Sequence, residues 1–382
     1  MRDHILPFWL GMQDKDRGGF VGAATSTGVP VPSAPKGAVL QARILWTFSA
    51  AYARLSDPVL LAAAQHVYDF IARHLIDPIA DGVYWTVSPD GKPIDARKHV
   101  YAQAFAIYGL STFYRASGNA GALDLARRLW GLVERNARDS VASGYFESFS
   151  PDWRLMPNKL SGRIPIPKTF NTHFHVLEAY GALAEVWPNP DLQQRVEMLT
   201  TLLAGRLFDR RQRTFWQHFD GDWRSLDQGL SFGHDIEASW LLSAIADRLA
   251  PDVVAPVREV VSTIAYNILN RAVDTDGGVA TGFNVNGEAA VGKTWWVQAE
   301  ALVGFVDAFE RARDLRFLEA AEGVWRFIQQ RVVDRSGGEW RDWIAPAGTA
   351  QPDLPTVGLW KCPYHNGRAC LEVMDRAARL AS

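Results

Sequence analysis

The segment VYAQAFAIYGLSTFYRAS, from Val100 to Ser117, is the clearest indication of the fold in this sequence. It is rich in alanine and other small residues, and Arg115 is its single charged side chain. A helix of this composition has no charged face to turn towards solvent, which is typical of a helix packed on several sides. The segment therefore predicts an inner helix of an all-α protein.

Five other segments share this pattern, which is a polar or aromatic start followed by alanine-rich helical periodicity. With the first, the six segments are 41–55, 100–117, 172–187, 234–249, 295–312 and 365–380. Their starts lie roughly 60 to 70 residues apart, which leaves room in each unit for one helix, a return helix and a loop. The chain is therefore predicted to repeat a helical hairpin.

Charged amphipathic stretches alternate with the inner segments, at 59–74, 120–136, 192–207, 253–270 and 317–332. Charges on one face, such as Arg127, Arg128 and Glu134, predict helices that meet solvent. The alternation predicts an (α/α)6 barrel of six inner and six outer helices, whose ends are joined by glycine-rich hairpin turns. Because no linker or charge run divides the chain, residues 1–382 are predicted to form a single catalytic domain.

Composition narrows the class of ligand. The 382 residues include 40 basic and 42 acidic side chains, a formal net charge of -2, and these charges are scattered along the chain. This pattern lacks the basic footprint of a nucleic-acid binder. The 15 tryptophans offer flat apolar faces with a polar handle, which suit carbohydrate rings as well as cores. A small, neutral, polar ligand such as a sugar is therefore predicted.

The chain carries no recognisable targeting or membrane segment. Asp3 and Pro7 interrupt the short apolar start, which predicts neither a signal peptide nor an anchor. Cys362 and Cys370 are too few for a disulfide framework and lack zinc-site spacing. A cytoplasmic enzyme is predicted, with no nucleic-acid or membrane partner, acting as a monomer or weak homodimer.

Histidines fall at or just before the starts of several inner helices, namely His99, His173, His175, His234 and His365. In a ring of parallel inner helices these starts gather at one end, so distant residues converge on one pocket. Residues three or four apart share a helix face, which places Asn171 with His175 and His234 with Glu237. His173 is then predicted to point elsewhere, in a structural role.

The residues alone leave other functions possible. Paired carboxylates would make the protein a glycoside hydrolase, and the candidates are Glu147, Asp235, Glu237, Glu300 and Glu339. Histidines suit proton transfer at a sugar carbon better than protonation of a poor leaving group. A metal held by several helices is less favoured, because the two-histidine helical signature is absent, as are nucleotide-binding motifs. A non-enzymatic carbohydrate-binding module would explain the tryptophans but not the histidines.

Five stretches resemble the N-acylglucosamine 2-epimerase superfamily, and within it the cellobiose 2-epimerase branch. They are RILWTFS at 43–49, RKHVYAQAFA at 97–106, KTFNTHFHVLEAY at 168–180, SFGHDIEASW at 231–240 and WKCPYHNGR at 360–368. The resemblance spans nearly the whole chain. It implies an (α/α)6 barrel that inverts C2 of a reducing sugar without a metal or other cofactor, with aldose–ketose isomerisation as the alternative activity.

The resemblance also implies roles for particular residues. His234 and His365 would remove and return the C2 proton on opposite faces, and His175 would assist ring opening. Arg43 would stabilise the enediolate and, with Asn171, hold O1 and O2. The remaining implied residues are supports or stacking platforms, namely Tyr101, Glu237, Trp296 and Trp360.

One departure from the family pattern concerns substrate size. Arg163 stands before the Asn-x-His-x-His motif, where disaccharide-using members are expected to carry an acidic residue. The sequence therefore leaves open a cellobiose-type or lactose-type disaccharide and a monosaccharide such as mannose.

Overall fold

Helices account for most of the chain. The computed structural model describes residues 1–158, 165–226, 229–284, 288–346 and 354–381. The α-helices in these residues are α1 Ile5–Leu10, α2 Ala38–Leu55, α3 Pro58–Phe70, α4 Val100–Ser117, α5 Ala120–Asn136, α6 Phe170–Val186, α7 Pro190–Gly205, α8 Phe232–Ala246, α9 Pro251–Arg271, α10 Trp295–Ala312, α11 Leu315–Phe327 and α12 Tyr364–Ala381. Helices α3 and α11 continue as π-helical turns, Ile71–Leu75 and Ile328–Val332. Arg163, the departure noted above, lies outside the described residues.

The even-numbered helices correspond to the six predicted inner segments. Several begin two or three residues before the predicted start, at Ala38, Phe170 and Phe232. In the described residues, the outer helices α3, α5, α7, α9 and α11 have 13 to 21 residues. The sixth outer element, α1, is much shorter, with 6 residues.

Each inner helix contacts the inner helices before and after it, and α12 contacts α2. Small residues allow the close approaches. A Cβ atom on Gly109 of α4 would lie 2.6 Å from the carbonyl oxygen of Ala42 on α2. On α10, a Cβ atom on Gly304 would lie 2.6 Å from the Ile236 side chain of α8. The alanine-rich composition of the inner segments thus sets the spacing between inner helices.

Short antiparallel strands link the repeats at the end where the inner helices begin. They are β1 Lys36–Gly37, β2 Thr86–Val87, β3 Pro93–Asp95, β4 Lys98–His99, β5 Ser148–Phe149, β6 Lys168–Thr169, β7 Phe208–Asp209, β8 Thr214–Phe215, β9 His218–Phe219, β10 Leu230–Ser231, β11 Gly282–Phe283, β12 Lys293–Thr294 and β13 Trp343–Ile344. They pair as β1-β2-β3, β4-β5, β6-β9, β7-β8, β10-β11 and β12-β13. The strand that precedes an inner helix, such as β4, pairs with a strand that follows the next outer helix.

The fourth residue of five inner helices holds the turn that follows the preceding outer helix. Gln103, for example, accepts a 2.7 Å hydrogen bond from the Val83 amide and donates a 2.8 Å bond to the Val83 carbonyl. The corresponding residues are Gln41, His173, Asp235 and Gln298. Gln41 holds the turn after α1 in this way, which gives α1 the position of an outer helix despite its length. These bonds satisfy backbone groups that would otherwise be buried without partners.

No helix in the described residues has both the length and the apolar character required to cross a membrane.

The contact at Gly109 generates a stability prediction. Gly109→Ala should lower the free energy of unfolding by about 1 to 3 kcal/mol, because the added methyl group meets a backbone carbonyl that cannot rotate away. Gly131→Ala on the outer helix α5 is the matched control, since its new Cβ would face the flexible end of Arg135 at 3.2 Å. That control should stabilise by up to about 1 kcal/mol through helix propensity. Urea denaturation of both variants measures the difference, and equal effects would contradict the packing argument.

Candidate active site

A cavity of about 350 Å³ opens at the end where the inner helices begin. All nine residues that the sequence nominated line it, namely Arg43, Tyr101, Asn171, His175, His234, Glu237, Trp296, Trp360 and His365. Eight of them lie in the first two turns of an inner helix, as the convergence argument predicts. Thr294, Trp295 and Asp342 complete the lining.

His234 lies in the first turn of α8, beside the Trp296 indole. Its Nδ1 atom is 2.8 Å from the Ser231 hydroxyl, so the other ring nitrogen is the one free to meet a ligand. The His234 and Trp296 ring centroids are 5.1 Å apart. Burial and the nearby His175 and His218 lower the pKa of His234 to about 3. His234 is therefore a neutral base at pH 7.

His365, in the first turn of α12, also contacts Trp296, with ring centroids 5.5 Å apart. Its Nδ1 atom is 2.6 Å from Oε1 of Glu300, so a proton on Nδ1 is held by a carboxylate. Burial and the positive charges of Arg43 and Arg368 lower the pKa of His365 well below its usual value. Two imidazoles thus contact one indole ring, and the Nδ1 atom of each is engaged in a hydrogen bond.

His175 is the third cavity histidine. Its Nδ1 atom lies 2.9 Å from Oε2 of Glu178, one helical turn further along α6. Burial raises the pKa of Glu178, but the Arg368 charge and the His175 bond outweigh it and bring the pKa to about 2. Glu178 is therefore ionised and fixes the orientation of the His175 ring.

Arg43 brings a buried positive charge to the cavity. It donates a 2.9 Å hydrogen bond to the Tyr101 hydroxyl, and its guanidinium carbon lies 4.2 Å from the Phe105 ring centroid. Burial raises the pKa of Tyr101 to about 12, so this hydroxyl stays protonated. Among the described residues, Asn171 Oδ1 is buried with no hydrogen-bond partner. A guanidinium and a free amide oxygen beside one another suit a polyhydroxylated ligand.

Aromatic side chains form the outer wall. Trp360 is 47% exposed at the cavity and packs against Trp85 and Tyr101, with centroid separations of 5.9 and 5.7 Å. Trp296 is half-buried and contacts both His234 and His365. Flat apolar faces at two depths suit the stacking of sugar rings.

A group of buried acids lies below the cavity floor. Glu237, Glu300 and His365 offer ligand atoms within 4.8 Å of one another, the spacing of a metal site. The Arg368 guanidinium already donates hydrogen bonds to both carboxylates, so a cation is present where a metal would bind. Burial and the Glu300 charge raise the pKa of Glu237 to about 7.

Comparison with known sequences identifies the family of this chain. The sequence profile described as N-acylglucosamine 2-epimerase (GlcNAc 2-epimerase) matches residues 18–367. The chain belongs to that family. The cellobiose 2-epimerase of Ruminococcus albus is 39% identical over 381 residues, which cover 98% of this chain and 97% of the relative. The chain is therefore a sugar 2-epimerase, an isomerase.

Solved structures agree with this assignment. The cellobiose 2-epimerase from Bacillus thermoamylovorans matches with a TM-score of 0.94 and 38% identity, covering 98% of this chain and 97% of that one. The enzyme from Spirochaeta thermophila matches with a TM-score of 0.91 and 40% identity, covering 100% and 95% of the two chains.

Several polar residues of the epimerase that were considered as candidates from the sequence do not line the cavity. His173 is bonded to the Tyr145 amide and the Thr169 carbonyl, in the structural position predicted for it. His99 caps α4 and does not line the cavity. Four of the five acids considered for hydrolysis also lie outside the cavity lining. They are Glu147, held by Thr169, Asp235, held by Thr214, Glu339, held by Trp9, and Glu300, held by Trp240 and Arg368.

The sequence argument also missed residues of the epimerase site. Glu178 and Arg368 were not nominated, although each stands three residues after a nominated histidine and so shares its helix face. That spacing could have found them. Asp342 comes from the loop beside β13, and no local signal links it to the cavity.

Gly233, which precedes His234, generates a prediction about the wall. A Cβ atom there would lie 2.4 Å from the Trp296 ring and 2.6 Å from Val297, so the indole must shift. Gly233→Ala should lower kcat/KM by about 10- to 100-fold, because small displacements at a reacting centre are costly. Gly205→Ala, whose Cβ has nothing within 4 Å, is the control. Steady-state kinetics measures both, and unchanged kinetics for Gly233→Ala would show that the position of Trp296 is unimportant.

Proposed function

We propose that the enzyme epimerises C2 of the reducing-end glucose of a cellobiose-type disaccharide. The observation that carries the proposal is the pair His234 and His365, which both contact Trp296 and line one cavity that Arg43 also lines. Full-length similarity to cellobiose 2-epimerases supports the substrate class. Trp360, half-exposed beside Trp85, supports it further because it offers a platform for a second sugar ring.

The architecture proposed with this function is a single closed (α/α)6 barrel. The contact of α12 with α2 supports closure, as does the ordered contact of the inner helices between them. One closed domain places residues from the first and last repeats, Arg43 and His365, around the same substrate.

Ring opening comes first, because the cyclic sugar hides its aldehyde. His175 is the group proposed to move the proton between the ring oxygen and the O1 hydroxyl. Its Nδ1 atom lies 2.9 Å from Oε2 of the ionised Glu178, which holds the ring in one orientation. The site therefore holds an acid–base group whose ring orientation is fixed before the substrate binds.

Proton transfer at C2 then follows. One neutral imidazole takes the C2 proton, the C–H electrons form the C1–C2 double bond, and the carbonyl electrons move onto O1 to give an enediolate. Arg43, positively charged at any relevant pH, stabilises that oxygen. Rotation about C2–C3 turns the other face to the second histidine, which takes up a solvent proton as the negative charge of the enediolate develops and delivers that proton to C2. Both imidazoles return to their starting states by exchange with solvent.

The substrate assignment is tested by incubation with cellobiose, lactose, mannose and N-acetylglucosamine, followed by chromatographic separation of epimers. We expect the two disaccharides to give their C2 epimers and the monosaccharides to react more slowly. Faster conversion of mannose would reject the disaccharide assignment, ketose as main product would indicate isomerisation, and released glucose would indicate hydrolysis. Parallel assays with a chelator test the expectation that no metal takes part.

Substitution of either C2 histidine should abolish inversion. His234→Ala and His365→Ala should each reduce net epimerisation by about 100- to 10,000-fold, the range for loss of a general acid–base group. The control is His4→Ala, since the His4 side chain makes no capping hydrogen bond. Circular dichroism confirms folding, and near-normal turnover by either variant would remove it from the mechanism.

Deuterium labelling distinguishes the two faces. In D2O the product epimer should carry close to one deuterium at C2, because the delivered proton comes from an exchangeable imidazole and not from a hydride carrier. The two alanine variants sharpen this test. Each should still exchange the C2 hydrogen of one epimer without inverting it, and the two variants should act on opposite epimers. Unlabelled product from the unaltered enzyme would refute the two-histidine mechanism.

A further inference from the structure

The cavity residues of three inner helices stand above a layer of buried charged side chains. On α6, His175 is followed three residues later by Glu178, and on α12, His365 is followed three residues later by Arg368. On α10, Glu300 follows Trp296 by four. Residues at these spacings share a helix face one turn apart. The floor of the cavity is therefore a second set of side chains from the same helices.

Arg368 is the centre of this layer and is 1% exposed. One terminal nitrogen donates a 2.6 Å hydrogen bond to Oε1 of Glu178 and also contacts the Tyr364 hydroxyl. The other donates a 2.7 Å bond to Oε1 of Glu300 and a further bond to Glu237. The guanidinium carbon lies 4.2 Å from the Tyr364 ring centroid, so the planar group is held on its face as well.

The two carboxylates on separate nitrogens of Arg368 hold two separate histidines. Oε2 of Glu178 is 2.9 Å from Nδ1 of His175, and Oε1 of Glu300 is 2.6 Å from Nδ1 of His365. A continuous path of hydrogen bonds therefore runs from His175 through Glu178, Arg368 and Glu300 to His365. The proposed mechanism assigns ring opening to the first imidazole and C2 chemistry to the second.

We propose that Arg368 is a positioning residue that fixes both histidines at once by holding their carboxylates apart in one plane. The inference rests on the proposed function for the roles of the two histidines. A guanidinium suits the task because its fork presents donors in fixed directions to two acceptors, which a lysine ammonium does not. The charge also matters, since buried carboxylates without a cation take up protons and no longer orient an Nδ1–H group.

Arg376 provides a matched comparison on the same helix. It is also buried and pairs with three acids, Asp307 at 2.8 Å, Glu372 at 3.4 Å and Glu310. None of those acids lines the cavity in the described residues. A purely structural role for buried arginines of α12 predicts equal consequences for both. A positioning role predicts a functional loss for Arg368 alone.

The experiment compares Arg368→Lys with Arg376→Lys by kinetics, thermal unfolding and NMR of the histidine imidazoles. We expect Arg368→Lys to lower kcat by about 100-fold while KM changes little, the effect of displaced reacting groups. The chemical shifts of the Nδ1–H protons of His175 and His365 should both change. Substitution of each histidine identifies its signal. Arg376→Lys should lower stability while leaving kcat and both signals unchanged. Equal loss of kcat in the two variants, or unmoved signals in Arg368→Lys, would overturn the proposal.

Tyr364→Phe covers the case in which Arg368→Lys does not fold. It removes only the hydroxyl that Glu178 and Arg368 share. The chemical shift of the His175 Nδ1–H proton should therefore change, and kcat should fall. An unchanged chemical shift would overturn the proposal. The NMR measurement does not depend on epimerisation. Moved signals in an enzyme that inverts no tested sugar would support the positioning role and reject the proposed function.

Discussion

The inner helices begin together at one end of the molecule, and the rest of the structure depends on this alignment. It is held by repeated hydrogen bonds in which the fourth residue of an inner helix, such as Gln103, binds the turn after an outer helix. Close backbone contacts such as that at Gly109 fix the lateral spacing. Because the inner helices start at the same level, the second and sixth residues of neighbouring inner helices face a common space. That space is the cavity.

Burial of charge at the cavity floor is costly, because an ion loses its hydration unless partners replace it. Here one guanidinium and three carboxylates replace water for one another, with Trp240 donating a 3.0 Å hydrogen bond to Glu300. Such a cluster adds little stability compared with apolar packing. In the proposed mechanism its value lies in fixed orientation, because charges and dipoles that are set before the reaction need no reorganisation when an enediolate forms.

Trp296 is the main aromatic residue of the cavity wall next to the two histidines. Trp296 contacts both His234 and His365 and lies against Gly233, so its position is fixed by the absence of a side chain at that glycine. The proposed inversion needs both imidazoles, because a single base reaches only one face of a stereocentre.

The sequence by itself determined the alternation of inner and outer helices, because apolar periodicity and charge density are local properties of each segment. It also determined which residues share a face, as with Asn171 and His175 on α6. Only the tertiary structure decided what each face meets. Asp235 was a candidate for the active site by residue type and position, yet its carboxylate accepts a hydrogen bond from the Phe215 amide in the turn after α7. Arg368 and Glu178, far apart in the chain, meet only because α6 and α12 face one another, and spacing along one helix contains no information about its partner across the cavity.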